Sequence, residues 1–166
     1  MPFWRAYYHI VWATRIREPI IRPEMEARLY GYLVRKAAEL EVVVYAINGW
    51  TDHVHMLVAI PPKHSVSEVV KSLKGASSHD MGVQGISFEW QRGYGALTCG
   101  ESQLSIARDY IDRQKSHHAE NTLQKALEYC VENDEGPTLK GMNIDHVPTM
   151  AKDDHGGYDV TGLSPF

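Results

Sequence analysis

The stretch Thr51-Asp52-His53-Val54-His55-Met56-Leu57-Val58-Ala59-Ile60 decides the fold and carries the first candidate functional residues. It is rich in β-branched and apolar residues and ends at Pro61-Pro62, which predicts a β-strand. Alternate side chains of a strand share a face, so we expect His53 and His55 to point the same way, roughly 7 Å apart. Leu57 and Ala59 continue that face, and the opposite face receives Asp52, Val54, Met56 and Val58.

Two imidazoles at this spacing can bind one metal ion. The ordinary explanation of an isolated His-x-His pair is different: two polar residues near the end of a half-buried strand. The choice depends on whether the chain supplies a third ligand and a nucleophile.

Length and composition favour one globular domain with a tail. The chain has 166 residues and a net charge of −4, and its two cysteines are too few for a disulfide framework or a thiolate zinc site. Residues 1–125 contain 15 basic and 13 acidic side chains, whereas residues 126–166 contain 2 and 8. We therefore expect a domain over residues 1–132 and an acidic, loosely ordered tail over 133–166. A body of slightly positive charge permits a local basic groove.

No apolar run reaches the length of a membrane span, and no signal peptide is recognisable. The sequence therefore predicts a cytoplasmic protein without a membrane partner.

The other segments predict alternating strands and helices. Aromatic and β-branched residues predict strands over 7–13, 42–48 and 94–99, and apolar residues at helical spacing predict helices over 24–40 and 102–118. Ser65-Val66-Ser67-Glu68 is a capping box that starts another helix, and a last helical stretch is expected over 123–131. Gly93 and Gly95 indicate a bend or a close backbone approach at the start of the fourth strand.

The resulting order, β-α-β-β-α-β with a final helix, is that of an α+β ferredoxin-like sandwich. In this architecture an antiparallel sheet carries helices on one face, and here a C-terminal helix is added. The architecture hosts many functions and therefore settles none.

Several side chains are candidates for contact with nucleic acid. Lysine and arginine can meet phosphates, serine can donate hydrogen bonds and tryptophan can stack on a base. The simpler interpretation is lysines on a solvated helix face, a core tryptophan and a surface arginine. The candidates are Lys71, Lys74, Ser77, Ser78, Trp90 and Arg92.

Tyr110 and Gln114 lie four residues apart in the predicted final helix and so present a phenol and an amide one turn apart. If that helix face lies against the histidine strand, the carbonyl of Gln114 becomes the third ligand of the pair and Tyr110 stands beside the metal. Nitrogen and oxygen ligands without thiolate suit Mg²⁺ or Mn²⁺, and Zn²⁺ can occupy the same site. Such a site suits phosphoryl transfer in which the phenol attacks a phosphodiester.

Five ordered blocks of the sequence resemble the single-tyrosine HUH transposases of minimal insertion sequences. HUH denotes histidine, hydrophobic residue, histidine, and the resemblance runs from about residue 4 to residue 120. The blocks are Tyr8-His9-Ile10-Val11-Trp12-Ala13-Thr14, His53-Val54-His55, Leu73-Lys74-Gly75-Ala76-Ser77-Ser78-His79, Trp90-Gln91-Arg92-Gly93-Tyr94-Gly95 and Tyr110-Ile111-Asp112-Arg113-Gln114-Lys115-Ser116-His117-His118.

This resemblance implies a DNA transposase that cleaves and rejoins single-stranded DNA at insertion-sequence ends through a 5′-phosphotyrosine intermediate. It implies His53, His55 and Gln114 as metal ligands and Tyr110 as the nucleophile. It also implies single-stranded DNA with hairpin ends as substrate, and a homodimer in which the tyrosine helix of one subunit can complete the site of the other. Two alternatives stay open: a non-enzymatic single-stranded nucleic-acid-binding module, and a domesticated relative that processes repeated genomic hairpins.

Overall fold

The computed structural model describes residues 3–131, and the predicted tail over 133–166 lies outside the described residues. The strands are β1 (Tyr7–Ala13), β2 (Val43–Gly49), β3 (His53–Ala59) and β4 (Gly95–Cys99). The helices are α1 (Pro23–Glu39), α2 (Val66–Val83), α3 (Leu104–Asp112) and α4 (Gln114–Glu120), and short 3₁₀ turns lie at Arg15–Arg17 and Glu101–Gln103. Within this part of the chain, no helix is long and apolar enough to cross a membrane.

The four strands form one antiparallel sheet in the order β2-β3-β1-β4. Its central strands are therefore β3 and β1, the two strands that carry histidines. This order together with the β-α-β-β-α-β sequence confirms the predicted ferredoxin-like α+β fold. The histidine strand is buried along its whole length.

The main core lies between the sheet and the helices α1 and α2. Both helices turn buried apolar residues toward the sheet, and α2 begins at the predicted capping box, in which Ser65 and Glu68 bond each other's backbone N–H groups. The buried residues that form this core include Ile10, Trp12, Leu29, Leu33, Val54, Met56, Val58, Val70 and Leu73.

The opposite face of the sheet carries α3. A smaller apolar cluster joins Ala46 of β2 and Leu57 of β3 to Tyr110 and Ile111 of α3. Leu57 thus shares the histidine face, as predicted from strand alternation, and α3 is brought against that face.

Two parts of the C-terminal prediction are wrong. The single helix predicted over 102–118 is divided at Arg113, which has φ −97° and ψ 14°, and the neighbouring carbonyl of Asp112 accepts a hydrogen bond from the Asn48 side chain at 3.1 Å. The predicted helix over 123–131 is a series of turns that ends in an extended bridge between Val131 and Tyr94. Contacts with the sheet override the helical tendency of this segment.

We call residues 121–131 the closing segment because they cross the histidine face. Leu127 packs against the cluster around Tyr110, and Cys130 is buried beside Val11 and Ala13 of β1. A Cβ at Gly95 would overlap the carbonyl oxygen of Tyr129, so only glycine lets the segment approach β4 this closely. This confirms the close backbone approach that the sequence predicted at the start of the fourth strand.

Candidate active site

Three histidines of the two central strands share the face beneath α3. In the β1–β3 register Val11 lies opposite His55 and His9 lies opposite Leu57, which places the three rings side by side. His9, His53 and His55 are buried, with exposed fractions of 4%, 1% and 0%. Buried histidines require polar partners, and the partners of these rings reveal the arrangement of the site.

One nitrogen of each ring in the His-x-His pair is already held by a neighbouring side chain. Nδ1 of His53 lies 2.5 Å from Oδ1 of Asp52, and Nδ1 of His55 lies 2.8 Å from Nε2 of His9. Such partners fix the orientation of metal-binding histidines and direct the other nitrogen toward the metal. Both Nε2 atoms therefore remain available on the side of the closing segment.

The carboxylate of Asp52 was expected on the opposite face of the strand. Asp52 instead precedes the first residue of β3, so strand alternation does not govern it, and its carboxylate contacts His53. It also pairs with Arg17 at 3.2 Å. The expectation about its face was therefore wrong, and Asp52 belongs to the site.

The helix α3 brings Tyr110 over the histidines of the same chain. The ring centroid of Tyr110 lies 6.2 Å from those of His9 and His55, and the ring stacks on His117 at 4.7 Å. Gln114, the first residue of α4, is completely buried beside it. The break at Arg113 thus preserves the predicted proximity of the phenol and the amide.

The carboxylate of Glu128, from the closing segment, lies at the centre of these groups. Its Oε2 is 3.1 Å from Nε2 of His55 and 3.2 Å from Nε2 of His53. Its Oε1 accepts hydrogen bonds from the hydroxyl of Tyr110 at 2.5 Å and from the amide nitrogen of Gln114 at 3.3 Å. All four residues that the sequence proposed for catalysis and metal binding therefore converge on one carboxylate.

The pKa values reflect this crowding. Burial alone would raise the pKa of Glu128, but hydrogen bonds with His53 and His55 and the charge on His55 hold it well below its usual range. Burial likewise would lower the pKa of His53, yet hydrogen bonds with Asp52 and Glu128 raise it. For His55, burial prevails and lowers the pKa. Glu128 is thus an anion surrounded by groups that stabilise negative charge.

His9 and Tyr110 are held in their neutral forms. Burial and the neighbouring His55 lower the pKa of His9 to about 3, so its imidazole is neutral at pH 7. Burial and the hydrogen bond to Glu128 raise the pKa of Tyr110 to about 12. The phenol of Tyr110 is therefore protonated at pH 7, and a neutral phenol is a weak nucleophile.

The donor set fits a hard divalent cation. Oε1 of Gln114 is buried and finds no hydrogen-bond partner among residues 3–131. A buried unsatisfied acceptor is costly, and a cation would satisfy it. Together with two imidazole nitrogens and no thiolate, this oxygen forms a donor set that could hold a divalent cation.

His118 of α4 flanks the same centre. Its Nε2 lies 3.2 Å from Nε2 of His53, and its ring stacks on Trp50 at 4.7 Å. Donor atoms of His53, His118 and Glu128 all lie within 4.8 Å of one another, the spacing that a single metal ion requires.

The predicted nucleic-acid contacts lie elsewhere, around a surface groove between α2 and the loop before β4. The groove has a volume of about 320 Å³, and its lining includes Lys71, Lys74, Ser78, Trp90 and Arg92. Nζ of Lys74 donates to the backbone carbonyl of Arg92 at 2.9 Å, so this lysine also fixes the groove wall.

Ser77 and the indole N–H of Trp90 are turned away from solvent. Ser77 is fully buried, and its hydroxyl accepts a hydrogen bond from Nε1 of Trp90 at 2.9 Å. The indole also packs edge-on against Trp12 and Phe88. The Ser77 hydroxyl is therefore turned into the fold, whereas Trp90 also lines the groove, so stacking of its ring on a base stays a prediction.

Sequence reasoning did not assign a role to four residues of the site, and His118 is one of them. Glu128 was one acidic residue in a predicted helix, and no motif singles it out. Asp52 was adjacent to the motif but assigned to the wrong face. His9 was left without a role, although the β1–β3 pairing would have placed it beside His55.

Comparisons with known proteins find relatives of one family. The family model described as "Transposase IS200 like" matches residues 2–114. The transposase for insertion sequence element IS200 of Salmonella typhimurium is 37% identical over 120 residues, which cover 67% of this chain and 78% of that protein. The ISDra2 transposase TnpA of Deinococcus radiodurans is 29% identical over 115 residues, covering 64% of this chain and 82% of that one.

Two solved structures share the fold. A protein of Deinococcus radiodurans described as a candidate transposase has a TM-score of 0.55 and 27% identity, over 69% of this chain and 95% of that chain. The structure of a REP-associated tyrosine transposase bound to a REP hairpin has a TM-score of 0.56 and 15% identity, over 71% of this chain and 74% of the other.

Proposed function

Because the chain belongs to the IS200-like transposases, we propose that it cleaves and rejoins single-stranded DNA at insertion-sequence ends by metal-assisted transesterification. Tyr110 attacks the scissile phosphorus, a 5′-phosphotyrosine forms and the 3′-hydroxyl of the preceding nucleotide leaves. Attack of a 3′-hydroxyl on the phosphotyrosine reverses the step and joins new ends. The covalent bond conserves the energy of the broken diester, so the reaction needs no ATP.

One observation carries this proposal. The hydroxyl of Tyr110, the Nε2 atoms of His53 and His55 and the amide of Gln114 all lie within 3.3 Å of the Glu128 carboxylate. An anion the size of a carboxylate thus touches the nucleophile and every proposed ligand at once. A phosphate oxygen that entered beside this carboxylate would lie near the same groups.

We propose His53, His55 and Gln114 as ligands of Mg²⁺ or Mn²⁺. Bound there, the cation would neutralise charge on the non-bridging phosphate oxygens and orient the bond for in-line displacement. The chain itself supplies the orientation of the ligands, through Asp52 at His53 and His9 at His55.

The phenol must lose its proton for the attack. In the arrangement described here the hydroxyl of Tyr110 donates to Glu128 and accepts from the backbone N–H of Gln124 at 3.1 Å. DNA that enters the site must displace the carboxylate from the phenol before Tyr110 can reach phosphorus. The carboxylate of Glu128 is therefore expected to turn its Oε1 away from the phenol when DNA binds.

We propose that the groove between α2 and β4 contributes to DNA binding through Lys71, Ser78 and Arg92. Lys71 and Ser78 lie in α2, and Arg92 lies on the opposite wall of the groove. Cationic and hydroxyl side chains of this kind suit contacts with the phosphates of a DNA backbone. The hairpin-bearing REP structure noted above supports a hairpin as the DNA element for this chain as well.

A homodimer is part of the proposal, but exchange of the tyrosine helix is not required by the geometry. A single chain brings Tyr110 to its own histidine pair, with the ring of Tyr110 6.2 Å from that of His55. Light scattering after size-exclusion chromatography, with and without DNA, measures the oligomeric state and therefore tests the dimer.

The proposed function is tested by covalent trapping. Purified protein is incubated with Mn²⁺ and 5′- and 3′-labelled single strands that match the DNA flanking its own gene. A denaturing gel should show a covalent protein–DNA adduct that carries the label downstream of the cut. Chelation with EDTA should abolish the adduct.

The decisive variant is Tyr110→Phe, which removes only the hydroxyl and should leave no adduct. The matched control is Tyr45→Phe on the edge strand β2, where the tyrosine contacts Tyr7 and should leave the adduct unchanged. An undiminished adduct from Tyr110→Phe would remove this residue from the role. Binding of every strand without cleavage, unaffected by EDTA, would instead indicate a non-enzymatic binding module.

A further inference from the structure

The closing segment contributes a charged group to the proposed metal centre. Beyond the three ligands of the proposed function, Oε2 of Glu128 lies 3.1 Å from Nε2 of His55 and 3.2 Å from Nε2 of His53. Because Asp52 and His9 hold the Nδ1 atoms, the Nε2 atoms are the ones that face Glu128. Each contact between an Nε2 atom and the carboxylate oxygen has either an N–H proton or a metal ion between the two atoms.

The distances match the spacing of ligands around one metal ion. In octahedral coordination with ligands at about 2.1 Å, adjacent donor atoms lie roughly 3 Å apart. The separations between Glu128 and the two histidines, 3.1 Å and 3.2 Å, agree with that value.

Glu128 is held in this place by contacts on both sides of it in the sequence. Leu127 packs in the cluster with Tyr110, and the side chain of Gln91 donates to the carbonyl of Cys130 at 3.2 Å. The guanidinium of Arg17 donates to the carbonyl of Glu128 itself at 3.4 Å. A carboxylate on an anchored backbone loses little freedom on binding a metal, which favours tight coordination.

A carboxylate also changes the chemistry of the ligand set. His53, His55 and Gln114 are neutral ligands, and a hard divalent cation binds more tightly as the number of anionic oxygen ligands increases. With Glu128 the set becomes two nitrogens and two oxygens with one negative charge. A cation that takes six ligands would still have room there for water and a phosphate oxygen.

We infer that Glu128 is a fourth protein ligand of the divalent metal, supplied by the closing segment from outside the HUH motif and the tyrosine helix. The inference rests on the proposed metal site formed by His53, His55 and Gln114. It makes the closing segment part of the metal centre and couples its position to metal binding.

The test measures Mn²⁺ affinity by titration calorimetry on the full chain without DNA. Glu128→Gln keeps the shape of the side chain but removes its charge, and should weaken Mn²⁺ binding by about tenfold or more. Glu128→Asp keeps the charge on a shorter side chain and should restore part of the affinity. The matched control is Glu120→Gln at the exposed end of α4, which removes the same charge and should leave the affinity unchanged.

A second readout counts the water molecules on the metal. Water-proton relaxation of the Mn²⁺ complex should show about one additional exchangeable water in Glu128→Gln, because a water replaces the lost carboxylate. Circular dichroism melting of each variant confirms that the folded state is being compared.

The outcomes separate this inference from the function on which it rests. One outcome would overturn the inference and keep the proposed metal site. In it, His53→Ala loses Mn²⁺ binding, whereas Glu128→Gln binds Mn²⁺ equally or more tightly and shows no added water. That result would make Glu128 a group that merely occupies the site. Absence of Mn²⁺ binding in the unmodified chain would overturn both.

Discussion

The two faces of the sheet are built on different principles. The face beneath α1 and α2 is covered by apolar side chains such as Leu33 and Leu73, which are fully buried in one continuous core. The face beneath α3 buries three histidines and a glutamine in one hydrogen-bonded cluster around the partly exposed carboxylate of Glu128. The apolar face stabilises the fold by removing apolar surface from water. On the histidine face, burial of polar groups costs free energy, and these groups are arranged for chemistry.

The covering elements differ in the same way. Regular helices with capping signals cover the apolar face, whereas the histidine face is closed by two short helices and the irregular closing segment. Irregular segments open more readily than packed helices, and an active site must admit its substrate. Mutations on the apolar face are therefore expected to change the free energy of unfolding, and mutations on the histidine face to change the affinity for the metal.

The largest effect on stability is expected at the apolar face. Leu33→Ala removes a fully buried side chain of α1 and should lower the free energy of unfolding by about 3 kcal/mol. Urea denaturation measures this change, with Val34→Ala, a partly exposed neighbour, as the control that should change it by less than about 0.5 kcal/mol. Below the unfolding transition, Mn²⁺ affinity should stay unchanged, and a parallel loss would show that the two faces are not separable.

At the histidine face, a mutation is expected to change the affinity for Mn²⁺ more than it changes stability. Asp52→Asn removes the carboxylate that orients His53 and should weaken Mn²⁺ binding by about 10- to 100-fold, with a smaller change in stability than Leu33→Ala. Asp80→Asn is the control, because Asp80 also pairs with an arginine, Arg28, but lies in α2. Equal losses of metal affinity in the two variants would contradict the orienting role of Asp52.

A smaller effect is expected outside both faces, at the groove beside α2. Lys71→Ala should weaken binding of single-stranded DNA a few-fold and reduce the slope of log affinity against log salt by about 1. Fluorescence anisotropy at several salt concentrations measures both quantities. Lys63→Ala, whose lysine pairs with Glu41 away from the groove, should leave the slope unchanged. If the two variants behave alike, the groove is not the DNA contact.

The apolar face could be predicted from the sequence because its physics is local and periodic. The spacing of Leu29, Leu33 and Ala37 marks the buried side of α1, and the capping box at Ser65 marks the start of α2. Alternation in the histidine strand likewise placed His53 and His55 on one face of the sheet and Val54 and Met56 on the other. Element order then led to the observed sheet topology.

On the histidine face, the sequence predicted only those residues that belong to a motif or to the family resemblance. Tyr110 and Gln114 lie beside the histidine pair as expected, although their helix is divided at Arg113. Glu128 could not be found in this way, since its role arises from a tertiary contact made by an irregular segment. Ser77 shows the opposite error, because a polar residue on a helix was expected at the surface and instead bonds Trp90 within the fold.

The identity of the residue that becomes attached to DNA tests the central claim most directly. Trypsin digestion of the covalent adduct, followed by nuclease trimming and tandem mass spectrometry, should place the nucleotide on the peptide Asp109–Arg113, at Tyr110. Attachment to any other residue, with this peptide recovered unmodified, would contradict the account.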